Sequence, residues 1–355
     1  MRSFVIRMLL ACSTGYVYGA PIRVDISGIK SGPISVTPSS DSLRVSWSDA
    51  AKHEWQSVFS LDSARPLITS ISADGHNIVE LARPFYRCTT GKRTGGWDAF
   101  FDLPPANPGG IRQFMQEFHP TNVVAKTVGN RVEVTFDGLK IGIFSGSLKY
   151  TFYPGTPLIQ QAAVLSTKEP DTAYYYDAGI EMTAEQDSRA GGNMESKISY
   201  FDLDGKLQVI TPPYGSDRQS LAGHYRTVAA KMGTGSIAIF PPPHRYFFAR
   251  DYTTNQGYLW YSSWRGRVGL GVHQYPDDGT AIDPWMNAPP DTSQEMSLFL
   301  LPGMGDSSAT HQGCSGLYAQ RSIYPPQRFH YVRASLASRI HRSGNGEGPQ
   351  LATPV

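Results

Sequence analysis

Charge is scarce in this chain. Only 17% of its 355 residues are Asp, Glu, Lys or Arg, against about 25% in an ordinary globular sequence. The two signs nearly cancel, leaving +2. That balance argues against nucleic acid as a partner, because its binders carry a basic excess or stripe. Cysteine is scarcer still, with three residues, Cys12, Cys88 and Cys314. They show no CxxC or zinc-type spacing. No histidine pair stands beside a carboxylate at metal-binding spacing, so no metal is expected. There is no GxSxG. The GLG within Val268–Val272 sits in a strand pattern with no helix after it, so no phosphate loop and no cofactor are expected. No run of about 18 apolar residues is present, so no transmembrane helix is expected.

Rings and turn formers are abundant. The chain has 19 Tyr, 16 Phe, 35 Gly and 26 Pro. Apolar residues alternate with polar ones at period two, as in Leu43–Trp47, Arg131–Phe136, Ser147–Tyr153, Leu158–Leu165, Ala173–Met182, His224–Ala230, Arg245–Ala249, Tyr258–Ser262, Val268–Gln274 and Glu295–Leu301. Such alternation reads as strands. Gly129–Asn130 and Asp204–Gly205 read as two-residue hairpin turns. Helical spacing is confined to Gly110–Phe118, where a short helix is expected. The fold class is therefore all-β, one large antiparallel two-sheet sandwich over residues 21–303. Residues 304–355 lose the pattern and end in a flexible tail. Arg2 and Arg7, the apolar stretch Met8–Cys12 and small residues at Gly19 and Ala20 read as an export signal over residues 1–20. Leu9–Cys12 also resembles a lipoprotein box, which would put a lipid anchor on Cys12. An exported chain would be periplasmic, secreted or held at the outer membrane. In an oxidising compartment Cys88 and Cys314 could pair, or both could be buried thiols.

The densest chemistry lies in PHRYFFARDY and GYLWYSSWRGR. His244, Arg245, Arg250, Asp251 and Tyr252 are followed by Tyr258, Trp260, Trp264, Arg265 and Arg267, and then by His273. If these strands form a hairpin, rings and guanidiniums converge. Rings stack on the apolar face of a sugar, arginine binds a carboxylate or sulfate in bidentate fashion, and His or Tyr moves a proton near neutral pH. The plain alternative is a sandwich core, which favours the same rings. Alternation puts His224 and Arg226 on one face. Trp97 and Asp98 follow two glycines in a loop, as a stacking platform and an acid or base. A hydrolase would need two carboxylates, from Asp98, Asp102, Glu117, Asp177, Glu181, Asp251 or Asp283. No pair of them stands out by spacing.

GSLKYTFYPGTPLIQQAAVL, followed by YYYDAGIEM, resembles the central strands of the galactose-mutarotase-like supersandwich proteins. The resemblance spans roughly residues 40–300. It implies a two-sheet sandwich and a carbohydrate substrate. The family's catalytic His and Glu have no matching positions here, and no α/α-toroid precedes the sandwich. Together these readings lead us to expect an enzyme that cleaves a polysaccharide or oligosaccharide, with elimination on an acidic sugar ahead of hydrolysis. His244 or His224 would transfer the proton, with Tyr252 or Tyr258 as partner. Arg226, Arg245, Arg250 and Arg265, with His273, would bind the anionic group, and Trp97, Trp260 and Trp264 would stack. Hydrolysis would instead use Asp98, Asp177 or Asp251. A non-catalytic carbohydrate-binding or surface module is the third reading.

Overall fold

The computed structural model describes residues 22–93, 110–183, 196–213, 215–242, 258–264, 266–274, 285–307 and 310–311. These residues form 21 strands and are nearly all β. The strands from the N-terminal side are β1 (Arg23–Gly28), β2 (Ile34–Pro38), β3 (Ser42–Ser48), β4 (Glu54–Ser60), β5 (Ile68–Ala73), β6 (His76–Lys92) and β7 (Arg112–Phe118). The middle of the chain gives β8 (Asn122–Val128), β9 (Arg131–Ile141), β10 (Phe144–Phe152), β11 (Ile159–Ser166), β12 (Thr172–Thr183), β13 (Lys197–Phe201) and β14 (Leu207–Ile210). The remainder are β15 (Ser216–Leu221), β16 (His224–Met232), β17 (Gly235–Phe240), β18 (Leu259–Trp264), β19 (Arg267–His273), β20 (Met286–Ala288) and β21 (Gln294–Met304).

One layer runs β1–β8–β9–β10–β11–β21–β17–β16–β13–β14. The other has two parts. β2–β3–β4–β5 continue into the first half of β6, whose second half joins β7, β12, β19, β18 and β15 in the order β7–β6–β12–β19–β18–β15. The 17 residues of β6 therefore tie the two parts together. Both parts pack on the long sheet. Phe59 of β4 meets Phe136, Tyr150 and Phe152. From β12, Tyr176 bonds through its hydroxyl to Ser297, and Phe144 packs on Tyr174. Gln161 bridges the layers, accepting from Tyr150 Oη and donating to the Gly179 carbonyl at 3.0 Å.

Two expectations change. Gly110–Phe118 is not helical, because β7 pairs with β6 and β9. Phe114, Gln116 and Phe118 recur at period two, and Phe114 lies against Gly142, where any side chain would overlap its ring. Asp204–Gly205 is not a two-residue hairpin. Phe201 pairs with Leu207, and the Asp202 carboxylate takes the N–H groups of Asp204 and Lys206 inside a wider turn. The Gly129–Asn130 hairpin forms as expected, between Val128 and Arg131. Cys88 is a buried free thiol whose pKa is pushed up by burial. Cys314 lies outside the described residues. Among those residues no helix is long and apolar enough to cross a membrane.

Past β21, Thr310 and His311 dock on the long sheet. Thr310 Oγ1 meets Ser236 Oγ at 2.5 Å, and His311 Nε2 donates to the Ser199 carbonyl at 2.9 Å. Burial lowers the His311 pKa below its ordinary 6.5. The unfolded chain therefore takes up a proton that the folded chain resists. Stability from this dock is complete above about pH 6.5 and falls as pH drops from there toward the folded-state pKa, by at most about 1.4 kcal/mol per pH unit. Urea unfolding of the wild type should show this decline between neutrality and mild acid, and His311→Gln should flatten it.

Candidate functional site

In a strand, successive side chains point to opposite faces. On β6, β12 and β19, Tyr86, Cys88, Ala178, Ile180, Leu270 and Val272 join the core between the layers. Residues of opposite parity therefore share the other face. Register sets them in rungs. Arg87 pairs with Asp177, and Asp177 pairs with His273. Phe85 pairs with Gly179, Gly179 with Gly271, and Gly271 with Trp260. Glu181 pairs with Gly269, and Gly269 with Ser262. Thr183 pairs with Arg267, and Arg267 with Trp264.

The first rung is an ion cluster. Asp177 is 4% exposed. Its Oδ2 receives Arg87 Nε at 2.6 Å and Arg218 Nη1 at 2.5 Å, and Arg87 Nη2 also contacts it. Arg218 comes from β15, where a register irregularity between Ser216 and Gln219 breaks the alternation. Its Nη2 lies 2.7 Å from His273 Nδ1. A guanidinium has only donors, so Nδ1 accepts, and the imidazole proton is on Nε2. Among the described residues two guanidiniums face this one carboxylate, which is nearly buried.

Trp260 explains the second rung. Its indole lies flat across β19 and β12, where a Cβ on Gly179 or Gly271 would overlap it. Arg218 covers it at 5.3 Å, and Phe85 meets it edge-on at 4.9 Å. The ring is 1% exposed. Trp260 is therefore a buried support for Arg218, and the expectation that it stacks on a sugar is corrected. Its Nε1 and the Arg218 Nε are buried N–H groups with no hydrogen-bond partner among the described residues. Two such donors in one place are costly unless an acceptor meets them.

At the end of the sheet, the His273 N–H donates to the Tyr258 carbonyl at 2.8 Å. Tyr258 is buried, and the Arg226 guanidinium sits over its ring at 5.1 Å. Arg226 has φ +50° within a bulge of β16, since Tyr200 pairs with Val228 while Phe201 pairs with His224. Bulges of this kind re-aim side chains beside sites. His224 shares that bulged strand by its backbone. The fold thus gathers Arg226, Tyr258, Trp260 and His273 at one end of this sheet, with the His224 backbone beside them. Trp264 lies farther along the same face and is 51% exposed. Trp97, Asp98, His244, Arg245, Arg250, Asp251, Tyr252 and Arg265, and the side chain of His224, lie outside the described residues.

Asp177 and Glu181 are four residues apart on one strand, about 13 Å at the usual rise. Hydrolase carboxylates stand roughly 5–9.5 Å apart, so this pair does not fit hydrolysis. Among the described residues no group of three or more His, Cys, Asp or Glu could hold a metal ion. Arg87 and Arg218 are residues that the sequence reading did not single out. The signal for the cluster was Asp177 itself, a charge inside the apolar run AYYYDAGIEM.

No family profile and no curated protein matches the sequence. Solved structures do resemble it. A TPR-domain containing protein from Parabacteroides distasonis aligns with TM-score 0.42 and 9% identity over 74% of this chain and 47% of that one. A galactose mutarotase related enzyme from Lactobacillus acidophilus aligns with TM-score 0.37 and 8% identity over 77% and 98%. A GH36 alpha-galactosidase from Geobacillus stearothermophilus aligns with TM-score 0.39 and 7% identity over 77% and 41%. This chain spans less than half the length of the first and third. A putative aldose 1-epimerase from Klebsiella pneumoniae also aligns, with TM-score 0.36 and 10% identity over 83% of this chain and 93% of that one. The likeness is one of fold.

Proposed function

We propose that this protein is an exported, carbohydrate-active enzyme that cleaves an acidic polysaccharide or oligosaccharide by β-elimination. The observation that carries the reading is the cluster of Arg87, Arg218, Asp177 and His273 laid over Trp260. Among the described residues it sets two guanidiniums against one carboxylate and holds two buried donors without partners. Such a site suits an anionic, acceptor-rich ligand, and a uronic acid is one. Elimination breaks the C5–H bond, forms the C4–C5 double bond and breaks the C4–O4 bond, with a proton passing to the departing oxygen. Carboxylate neutralisation lowers the barrier to losing the C5 proton. Arg218, steadied by Trp260, serves that role with Arg87. His273 Nδ1 holds the Arg218 guanidinium in place. His224 or His244 removes the C5 proton, with Tyr258 or Tyr252 beside it, and the same base returns that proton to the departing oxygen. Arg226 orients the anionic group.

The test is a panel of uronate-containing and neutral glycans, read by the ultraviolet absorbance of the unsaturated product and by new reducing ends. Absorbance together with new ends on uronate glycans supports elimination. New ends without absorbance indicate hydrolysis. Binding without either product indicates a non-catalytic module.

A further inference from the structure

A cleft of another kind opens on the β2–β3–β4–β5 part of the layer. Leu43, Val45, Trp47, Trp55, Phe59 and Ile71 face the core, so residues of opposite parity share the other face. Register places Ser35, Ser46, Gln56, Ser72 and Asn77 side by side across five strands. The first four of these, with Glu54, line a cleft of about 370 Å³. Ser72 is only 8% exposed, and a hydroxyl so buried normally has a partner. Among the described residues its side chain makes no hydrogen bond, and neither do those of Ser35, Ser46, Gln56 and Glu54. The charges around the row are mixed. Glu54 stands in the wall, Arg44 and Glu80 lie one rung on, and His53 pairs with Asp74 at 2.7 Å at the Gly75 end.

We infer that this cleft binds an uncharged, hydroxyl-rich ligand, an oligosaccharide of neutral sugars, at a site separate from the Arg218 cluster. Serine hydroxyls and the Gln56 amide both donate and accept, and the Glu54 carboxylate accepts. Vicinal sugar hydroxyls also do both, so a row of such groups matches them. Among the described residues no lysine or arginine lines the cleft, so an anionic ligand would find no cation in its wall and would face Glu54. An apolar ligand would strip water from Ser72 and Gln56 without replacing its hydrogen bonds. The Ser72 hydroxyl separates this cleft from an ordinary solvated face, because it is buried and still open to a partner from the cleft. Strands stand about 4.8 Å apart, so the row from Ser35 to Ser72 spans about 14 Å, room for more than one linked ring. Trp47 and Trp55 are 3% exposed in the core and offer no ring face for stacking. Affinity therefore rests on hydrogen bonds, whose net worth is modest.

The experiment is an NMR-detected titration with neutral oligosaccharides of linked hexoses and with uronate-containing ones, using wild type, Gln56→Ala, Glu54→Ala and Arg218→Gln. Circular dichroism checks folding, which Glu54→Ala should leave intact because Glu54 is exposed. Wild type should bind a neutral chain with a Kd on the order of 1 mM. Gln56→Ala and Glu54→Ala should each raise that Kd by about threefold to tenfold, and Arg218→Gln should leave it unchanged. Failure of wild type to bind any neutral chain, or equal binding by wild type and both cleft variants, would overturn the site while leaving the Arg218 reading standing. Loss of neutral-chain binding in Arg218→Gln would assign that binding to the Arg218 cluster and overturn the site equally. Neutral chains bound as expected, with no binding of any acidic glycan, would remove the Arg218 reading and support the cleft.

Discussion

Replacing Asp177 by alanine is expected to lower the stability of the fold by about 3–5 kcal/mol, the usual cost of removing one partner from a buried ion cluster. Asp177 holds Arg87 and Arg218 at once, and both guanidiniums would be left facing each other with no carboxylate between them. Arg87 is partly exposed and can turn toward water, so the lower half of that range is expected. Urea unfolding measures it. Removing charge on both sides should recover part of the loss, since apolar replacement of a whole buried cluster is often neutral. The double variant Asp177→Ala, Arg218→Met should therefore be more stable than Asp177→Ala alone, although it would bind no acidic sugar. A loss below about 1 kcal/mol in the single variant would mean that water already reaches the cluster.

Gly271→Ala is expected to act through Trp260. The added methyl would overlap the indole and lie close to the Ala178 carbonyl. Strand backbone does not shift cheaply, so the ring must lift. Overpacking of this kind costs about 1–3 kcal/mol. Lifting the ring also displaces the Arg218 guanidinium that rests on it. The variant should lose stability and acidic-ligand affinity together, and its tryptophan fluorescence should shift to the red as the indole meets water. Gly179→Ala should act in the same direction, because its methyl would meet the same ring from β12. The bland substitution Gly75→Ala offers a control of another kind, since its methyl meets nothing and only the φ of +79° is strained.

The strands were legible because alternation is a local property. His273 and Tyr258 could be placed near one another from sequence because β18 and β19 form a hairpin. The ion cluster could not be read in that way. Arg87, Asp177 and Arg218 come from strands 90 and 41 residues apart, and register across non-adjacent strands brings them together. The clue was a charge in an apolar run, which a strand buried on both faces tolerates only with partners. Trp260 was legible as important but not in its role. Its neighbours Gly269 and Gly271, spaced by two, mark a face without side chains onto which a ring can lie. The helix expected at Gly110–Phe118 failed because apolar spacing in so short a segment fits either period, and pairing with β6 and β9 decided it.

The account depends on Arg87 and Arg218 meeting the carboxylate of an acidic sugar. The most direct measurement is a calorimetric titration with one uronate-containing oligosaccharide and its carboxyl-reduced, neutral counterpart, using wild type and Arg218→Gln. Wild type should bind the acidic form at least about tenfold more tightly, with the difference shrinking as salt rises. Arg218→Gln should erase the preference. Equal affinity of wild type for the two ligands, or a preference that survives Arg218→Gln, would contradict it.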